Sequence, residues 1–248
     1  MRTLLLLGGM TPDVTALYYN IINKAVRARL GDRVSAPIYM YSANLEEMLQ
    51  HAVKGEWEEF ATVYKEPIRS LSERVDGVAI CAIIAHKVAK QLLEVSSDAR
   101  VPLFHIADCL ALYIKNSHPS AKKLGLLGPK ITMLGSNDPD FFVARLQNAG
   151  FEVIIPATTE DIEEVNRGMF EEVAKGVASV TDSTKQMFIS QAKKLIASGA
   201  QGIILGSTDL GFVLRQEHVG DVPLFEPAAI HAQELGRWIC EGEETGHS

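Results

Sequence analysis

The sequence predicts an α/β protein made of two pseudo-symmetric units, each built on a parallel sheet, with a cleft between them. Two observations predict it. Short Val/Ile/Leu-rich runs alternate with longer amphipathic stretches along the 248 residues, the pattern of strands buried on both faces by crossover helices. Three segments also recur in the same order: Val101–Phe104 as Val222–Phe225, Gly77–Ile80 as Gly202–Leu205, and Leu4–Gly8 as Leu124–Gly128, each roughly 120 residues on. The chain therefore reads as two copies of one fold, expected to divide into 1–107 with 212–248, and 108–211.

The first copy is expected to place strands at Thr3–Leu7, Pro37–Tyr41, Gly77–Ile80 and Leu103–His105. Helical patterns fill the intervals at Thr15–Leu30, Leu45–Val53 and Trp57–Val75. In the second copy the strands fall at Lys123–Leu127, Glu152–Ile155, Gly202–Leu205 and Leu224–Phe225, with helices over Asp138–Ala149, Asp161–Lys175, Ser183–Ser198 and Ala228–Glu241. Asp138-Pro139 has the form of a helix cap followed by a first-turn proline. The polar tail Glu241–Ser248 is expected to fray. Such βαβ units are right-handed and carry their active groups in loops at the carboxyl ends of the strands.

Composition excludes several classes. The net charge of −7 supplies no basic excess to replace phosphate counterions, so neither nucleic acid nor an anionic membrane is an expected partner. No apolar run approaches the roughly 20 residues that span a bilayer, and Leu4–Leu7 is too short for a signal-peptide core. Cys81, Cys109 and Cys240 match neither a metal spacing nor an even disulfide framework. A reducing cytoplasm is the expected compartment, with no metal and no cofactor.

The strand-end loops hold the candidate chemistry. After the first strand come Gly9, Met10 and Thr11, where glycine permits a sharp turn and the following helix N-terminus attracts an anion; a plain strand-to-helix turn explains the same residues. The third strand of the first copy runs into Cys81-Ala82-Ile83-Ile84-Ala85-His86, and its counterpart in the second into Gly206-Ser207-Thr208-Asp209. One loop is almost wholly apolar and the other holds three polar side chains. Cys81 reads as a small buried hydrophobe, and His86, His105 and His231 as structural hydrogen-bond partners. Lys130 and Thr132 follow Gly128 as polar contacts.

Taken together, these loops resemble the aspartate/glutamate racemase superfamily of cofactor-independent amino-acid racemases, nearest its bacterial broad-range branch. Leu7-Gly-Gly-Met10 with Thr15 and Tyr18-Tyr19, Gly55-Glu56-Trp57, His86-Lys87-Val88-Ala89 and His105-Ile106-Ala107-Asp108 carry the resemblance in the first copy. Phe170-Glu171-Glu172, Gly199-Ala200-Gln201-Gly202 and Ala228-Ala229-Ile230-His231-Ala232 extend it to essentially the whole chain. The resemblance implies two flavodoxin-like domains, no cofactor and a homodimer. It also implies a reaction in which one thiolate removes the α-proton while an opposed thiol delivers another.

Both thiol positions are substituted here. The first aligns with Ala82 and the second with Ser207. Cys81 is one residue away, which turns a strand side chain to the opposite face, and an unactivated serine hydroxyl is a far weaker base than a thiolate. The Asn-Thr pair that holds the substrate carboxylate in the resembled proteins is Ile83-Ile84 here. Their loop threonine is Pro129, leaving Thr132; the lysine for a distal carboxylate aligns with Glu164; their glutamate after the second thiol is Asp209. Losing two hydrogen-bonding side chains costs about 1–3 kcal/mol each in ligand affinity, and a glutamate would repel a dicarboxylate.

The expected site therefore has Ser207, with Asp209 and Cys81 as secondary candidates, in catalytic positions. Gly9, Met10, Thr11, Ala82, Ile83, Ile84, Thr132, Glu164 and Thr208 are the expected contacts to a small ligand other than free aspartate or glutamate. Three readings follow: an isomerase or lyase with shifted chemistry on a small amino or organic acid, a non-catalytic binder of a ligand or partner, and ordinary racemisation by an unrecognised base pair.

Overall fold

A computed structural model describes residues 1–98 and 101–244. The tail residues 245–248 of the expected frayed segment lie outside the described residues. Two four-stranded, fully parallel sheets form, in the orders β2-β1-β3-β4 and β6-β5-β7-β8. Each is the doubly wound α/β arrangement that the alternating pattern predicts.

The first sheet comprises β1 (Leu4–Gly8), β2 (Ile38–Ser42), β3 (Gly77–Ile80) and β4 (Leu103–Phe104). Its helices are α1 (Pro12–Leu30), α2 (Leu45–Lys54), α3 (Trp57–Leu71), α4 (Ala89–Asp98) and α5 (Ile106–Ser117). The second sheet comprises β5 (Lys123–Leu127), β6 (Glu152–Ile154), β7 (Ile203–Leu205) and β8 (Leu224–Phe225). Its chain includes α6 (Lys130–Met133), α7 (Phe142–Asn148), α8 (Thr159–Glu171) and α9 (Asp182–Ala197), and α10 (Pro227–Glu244) follows β8.

The chain forms two compact units, 1–109 with 228–248, and 110–227. The return crossing thus falls after Pro227, where the sequence reading placed it at 212. Pairing accounts for the difference: β8 lies beside β7, with Ile203 opposite Leu224 and Ile204 opposite Phe225, so 212–227 stay with the second sheet.

In the first unit, Leu5 and Leu7 of β1 and Val78 and Ile80 of β3 pack with Phe60, Tyr64 and Ile68 of α3. Apolar burial of this kind, about 25 cal/mol per Å², is the main stabilising term. In the second, Leu124, Leu126 and Ile203–Leu205 are buried, as are Phe188, Ala192 and Leu195 of α9. Gly125 lets Leu195 and Ile203 close over the sheet, since a Cβ there would stand 2.8 Å from Ile203 Cδ1.

Three expectations need correction. β2 is not fully buried: it is an edge strand with Tyr39 and Met40 exposed. Asp138 caps no helix, because its carboxylate accepts the Asp140 N–H at 3.2 Å in a local turn and α7 begins only at Phe142. Helix α10 continues through Glu241 to Glu244 instead of fraying there. Helix α4 had no counterpart in the sequence reading, whereas Cys109, read as lying on a helical pattern, falls in α5.

Candidate functional site

Strand order places the site. In each sheet the chain starts at an inner strand, adds its second strand on one side, then crosses to the other. This puts a topological switch point between β1 and β3 and another between β5 and β7. Ligands of doubly wound sheets bind at the carboxyl ends of the strands at such points. The loops that leave these four strands are Gly8–Thr11, Cys81–Ile84, Gly128–Thr132 and Gly206–Asp209, the segments that the sequence reading singled out.

In the first unit these loops are packed shut. Gly9 adopts φ +104°, and a Cβ there would meet the Ala43 backbone at 2.3 Å, so the glycine serves a close approach of two chain segments. Its N–H donates to Thr15 Oγ1 at 2.9 Å, and Thr15 Oγ1 donates to the Thr11 carbonyl at 3.0 Å. Thr11 caps α1, accepting the Val14 N–H. Tyr64 Oη donates to the Gly8 carbonyl at 3.0 Å. Met10, Ala82 and Ile84 all join the apolar core, and Ile83 is buried as well.

Cys81 is buried, and its N–H donates to the Leu7 carbonyl at 2.9 Å. Burial pushes its thiol pKa far up, so the reactive thiolate is suppressed. Cys109 is pushed up to about 12, by burial first and then by Glu234 and Asp108.

A histidine cluster fixes the loop after β3. His86 Nε2 accepts the Ile106 N–H at 3.2 Å, so Nδ1 carries the proton and donates to the Ala82 carbonyl at 2.7 Å. The imidazole thereby ties the strand-end loop to the start of α5. His105 lies beside it, ring centroids 4.5 Å apart, with Nδ1 accepting the Ala107 N–H at 3.1 Å. His231 on α10 shares a 3.0 Å hydrogen bond with Tyr18 Oη. Burial, then the neighbouring His86, lowers the His231 pKa to about 3, with the Phe104 backbone acting the opposite way. All three histidines are buried, in keeping with the structural role read from sequence. Among the described residues no group of His, Cys, Asp and Glu could hold a metal ion.

The second unit keeps polar groups at its strand ends. The loops after β5 and β7 touch, because a Cβ on Gly128 would stand 2.6 Å from the Gly206 carbonyl carbon. Ser207 and Asp209 are partly buried and Thr208 is buried. The Asp209 N–H reaches Ser207 Oγ at 3.4 Å. Among the described residues, Thr132 Oγ1 is buried and makes no hydrogen bond. The Lys130 N–H donates to Asn166 Oδ1 at 2.9 Å, and Lys130 Nζ pairs with Glu163. Glu164 stands exposed one position along α8, so Glu163 and Asn166, three apart on one helix face, are the residues that reach this loop.

Sequence reasoning passed over Glu226. It directly follows β8, the neighbour of β7, and its Oε2 lies 2.8 Å from where a Cβ on Gly211 would be. The signal was in the repeat: Val101–Phe104 precedes His105 as Val222–Phe225 precedes Glu226.

Paired parallel sheets with matching switch points define a duplicated, doubly wound α/β protein with strand-end loop sites. The chain belongs to the Asp/Glu/hydantoin racemase family, whose profile matches residues 7–235. A Yersinia pestis structure provisionally described as an Asp/Glu racemase is 34% identical, with TM-score 0.85 over 97% of this chain and 100% of that one. An aspartate racemase homologue from Pyrococcus horikoshii OT3 is 28% identical, with TM-score 0.74 over 97% and 100% of the two chains. The Picrophilus torridus aspartate racemase shares the fold at 16% identity, with TM-score 0.75 over 97% and 95%. No helix among the described residues is long and apolar enough to cross a membrane.

Proposed function

We propose that this chain is a cofactor-independent, isomerase- or lyase-type member of its family that acts on a small amino or organic acid without a thiol pair. The observation that carries the reading is the state of its cysteines. Cys81 is sealed in the first unit's core with its thiolate suppressed, and residues 110–239 contain no cysteine. Proton transfer at carbon then falls to the second unit's loops, which carry Ser207, Thr208 and Asp209 after β7 and Thr132 after β5. Free aspartate and glutamate are poor ligands on this reading, because Ile83 and Ile84 replace carboxylate anchors and Glu163 and Glu164 add negative charge on α8. The protein works as a cytoplasmic homodimer: the family resemblance supplies the pairing, and three cysteines that match no even disulfide framework suit a reducing compartment.

The test is proton exchange into heavy water, followed by NMR over a panel of amino and organic acids with the purified full-length protein. At least one acid is expected to exchange, aspartate and glutamate are expected to keep their configuration, and C81A is expected to retain the rate. Racemisation of aspartate that C81A abolishes would overturn the reading. The apolar first unit favours one alternative, a ligand-binding protein without turnover; a ligand that raises the melting temperature while no acid exchanges would establish it.

A further inference from the structure

We propose that Glu226 is the proton-transfer group of the second unit's loops, acting on a small oxo acid with an enolisable C–H bond. The inference rests on the proposed function and assigns its missing acid–base group. Glu226 follows Phe225, whose register partner is Ile204 of β7, so it stands at the carboxyl edge one strand from the loop of Ser207–Asp209. Its carboxylate rests on Gly211: a Cβ there would lie 2.8 Å from Oε2 and 3.5 Å from Cδ, with Leu205 Cδ1 at 3.8 Å on the apolar side. A Cβ at Gly211 would therefore require the carboxylate to move.

Nothing structural occupies this carboxylate. Among the described residues it makes no hydrogen bond, and Arg215 acts on it from beyond ion-pair distance. It caps no amide of α10, which opens with Pro227 and so lacks an N–H at that position. Its counterpart in the first unit, His105, is buried and engaged by the Ala107 N–H. Burial raises the Glu226 pKa, with Arg215 acting the opposite way, and a raised carboxyl pKa suits acid–base work.

The weaker base sets the substrate class. A carboxylate is less basic than a thiolate, and Brønsted behaviour then requires a more acidic carbon, as found next to a ketone. In the step, the C–H bond beside the ketone breaks and an O–H bond forms on Glu226. The bonding pair moves into the carbonyl as an enolate, and the proton, exchanged with solvent, returns to the same carbon from the same face. The net change is isotopic exchange without inversion.

The experiment measures loss of the C3 protons of pyruvate, 2-oxobutyrate and 2-oxoglutarate in deuterated buffer by NMR, for the full chain and its E226Q, E226D and S207A variants, each checked for native melting. Wild-type protein is expected to accelerate exchange of at least one acid. E226Q should lose about 100-fold or more, E226D should keep exchange with a displaced acid limb in its pH profile, and S207A, in the same loop set, should also lower the rate. Equal rates for E226Q and wild type would overturn the role of Glu226 and leave the proposed function standing. Exchange of amino acids but of no oxo acid would overturn the substrate class, and no exchange of any acid would overturn both readings. A turnover-independent check uses carbon-13-labelled glutamate: the resonance missing from E226Q should titrate above the ordinary glutamate range, and titration within that range overturns the proposal.

Discussion

The loop after β3 and the loop after β7 leave equivalent strands of two copies of one fold, yet they have become different materials. Cys81–Ile84 is apolar, buried and pinned by His86, whose two ring nitrogens are both engaged. Gly206–Asp209 exposes part of Ser207 and Asp209, and Glu226 stands on the neighbouring strand with its carboxylate unengaged. The strand-end titratable groups differ likewise: His105 is locked into the core of one unit, while Glu226 is left half-buried in the other. Duplication makes two loops at one fold position, and here one is apolar and pinned while the other keeps polar side chains.

If the first loop is structural, breaking it must cost folding free energy. G9A is expected to have the largest effect, on the order of 4 kcal/mol, because a Cβ meets the Ala43 backbone at 2.3 Å and φ is +104°. Urea unfolding measures it, and a cost below about 1 kcal/mol would show that the turn relaxes freely. H86A strands the buried Ala82 carbonyl and Ile106 N–H, at about 3 kcal/mol in the same assay.

Acid probes the same cluster without mutation. The folded His231 pKa of about 3 lies below the ordinary value of 6.5, so the unfolded chain takes up the proton first. Stability from this group is complete above pH 6.5 and declines as pH falls toward 3, by about 2 kcal/mol at pH 5. The titratable groups against it are Tyr18 and His86, with His105 packed on His86 beyond them. H231F should flatten this part of the pH–stability curve; an unchanged slope would assign the acid sensitivity elsewhere. At the other end of the scale, S207A should alter stability by less than about 0.5 kcal/mol, since among the described residues the hydrogen bond to its hydroxyl is the long one from the Asp209 N–H. A larger loss would mean that the second loop, too, is chiefly structural.

Much of this architecture was legible before the coordinates. Gly77–Ile80, Lys123–Leu127 and Leu224–Phe225 form the strands their apolar runs predict, and the duplication held through both sheets. The histidines were readable as structural from their apolar surroundings. Less legible were α4 and the edge exposure of Tyr39 and Met40, because burial of a strand depends on its neighbours and not on its own composition. At the second loop, the sequence pointed to Ser207 and Asp209 but gave Glu226 no weight, although the repeat aligned it with His105.

By itself the amino-acid order determined two copies, parallel sheets and loops at strand ends, because side-chain periodicity and local backbone preference act over a few residues. Tertiary structure alone decided that Cys81 is sealed from solvent, that β8 joins β7, that Glu163 rather than Glu164 meets Lys130, and that Glu226 rests on Gly211. Those facts depend on strand register and helix rotation, which bring together groups that are distant along the chain and that local pattern cannot pair.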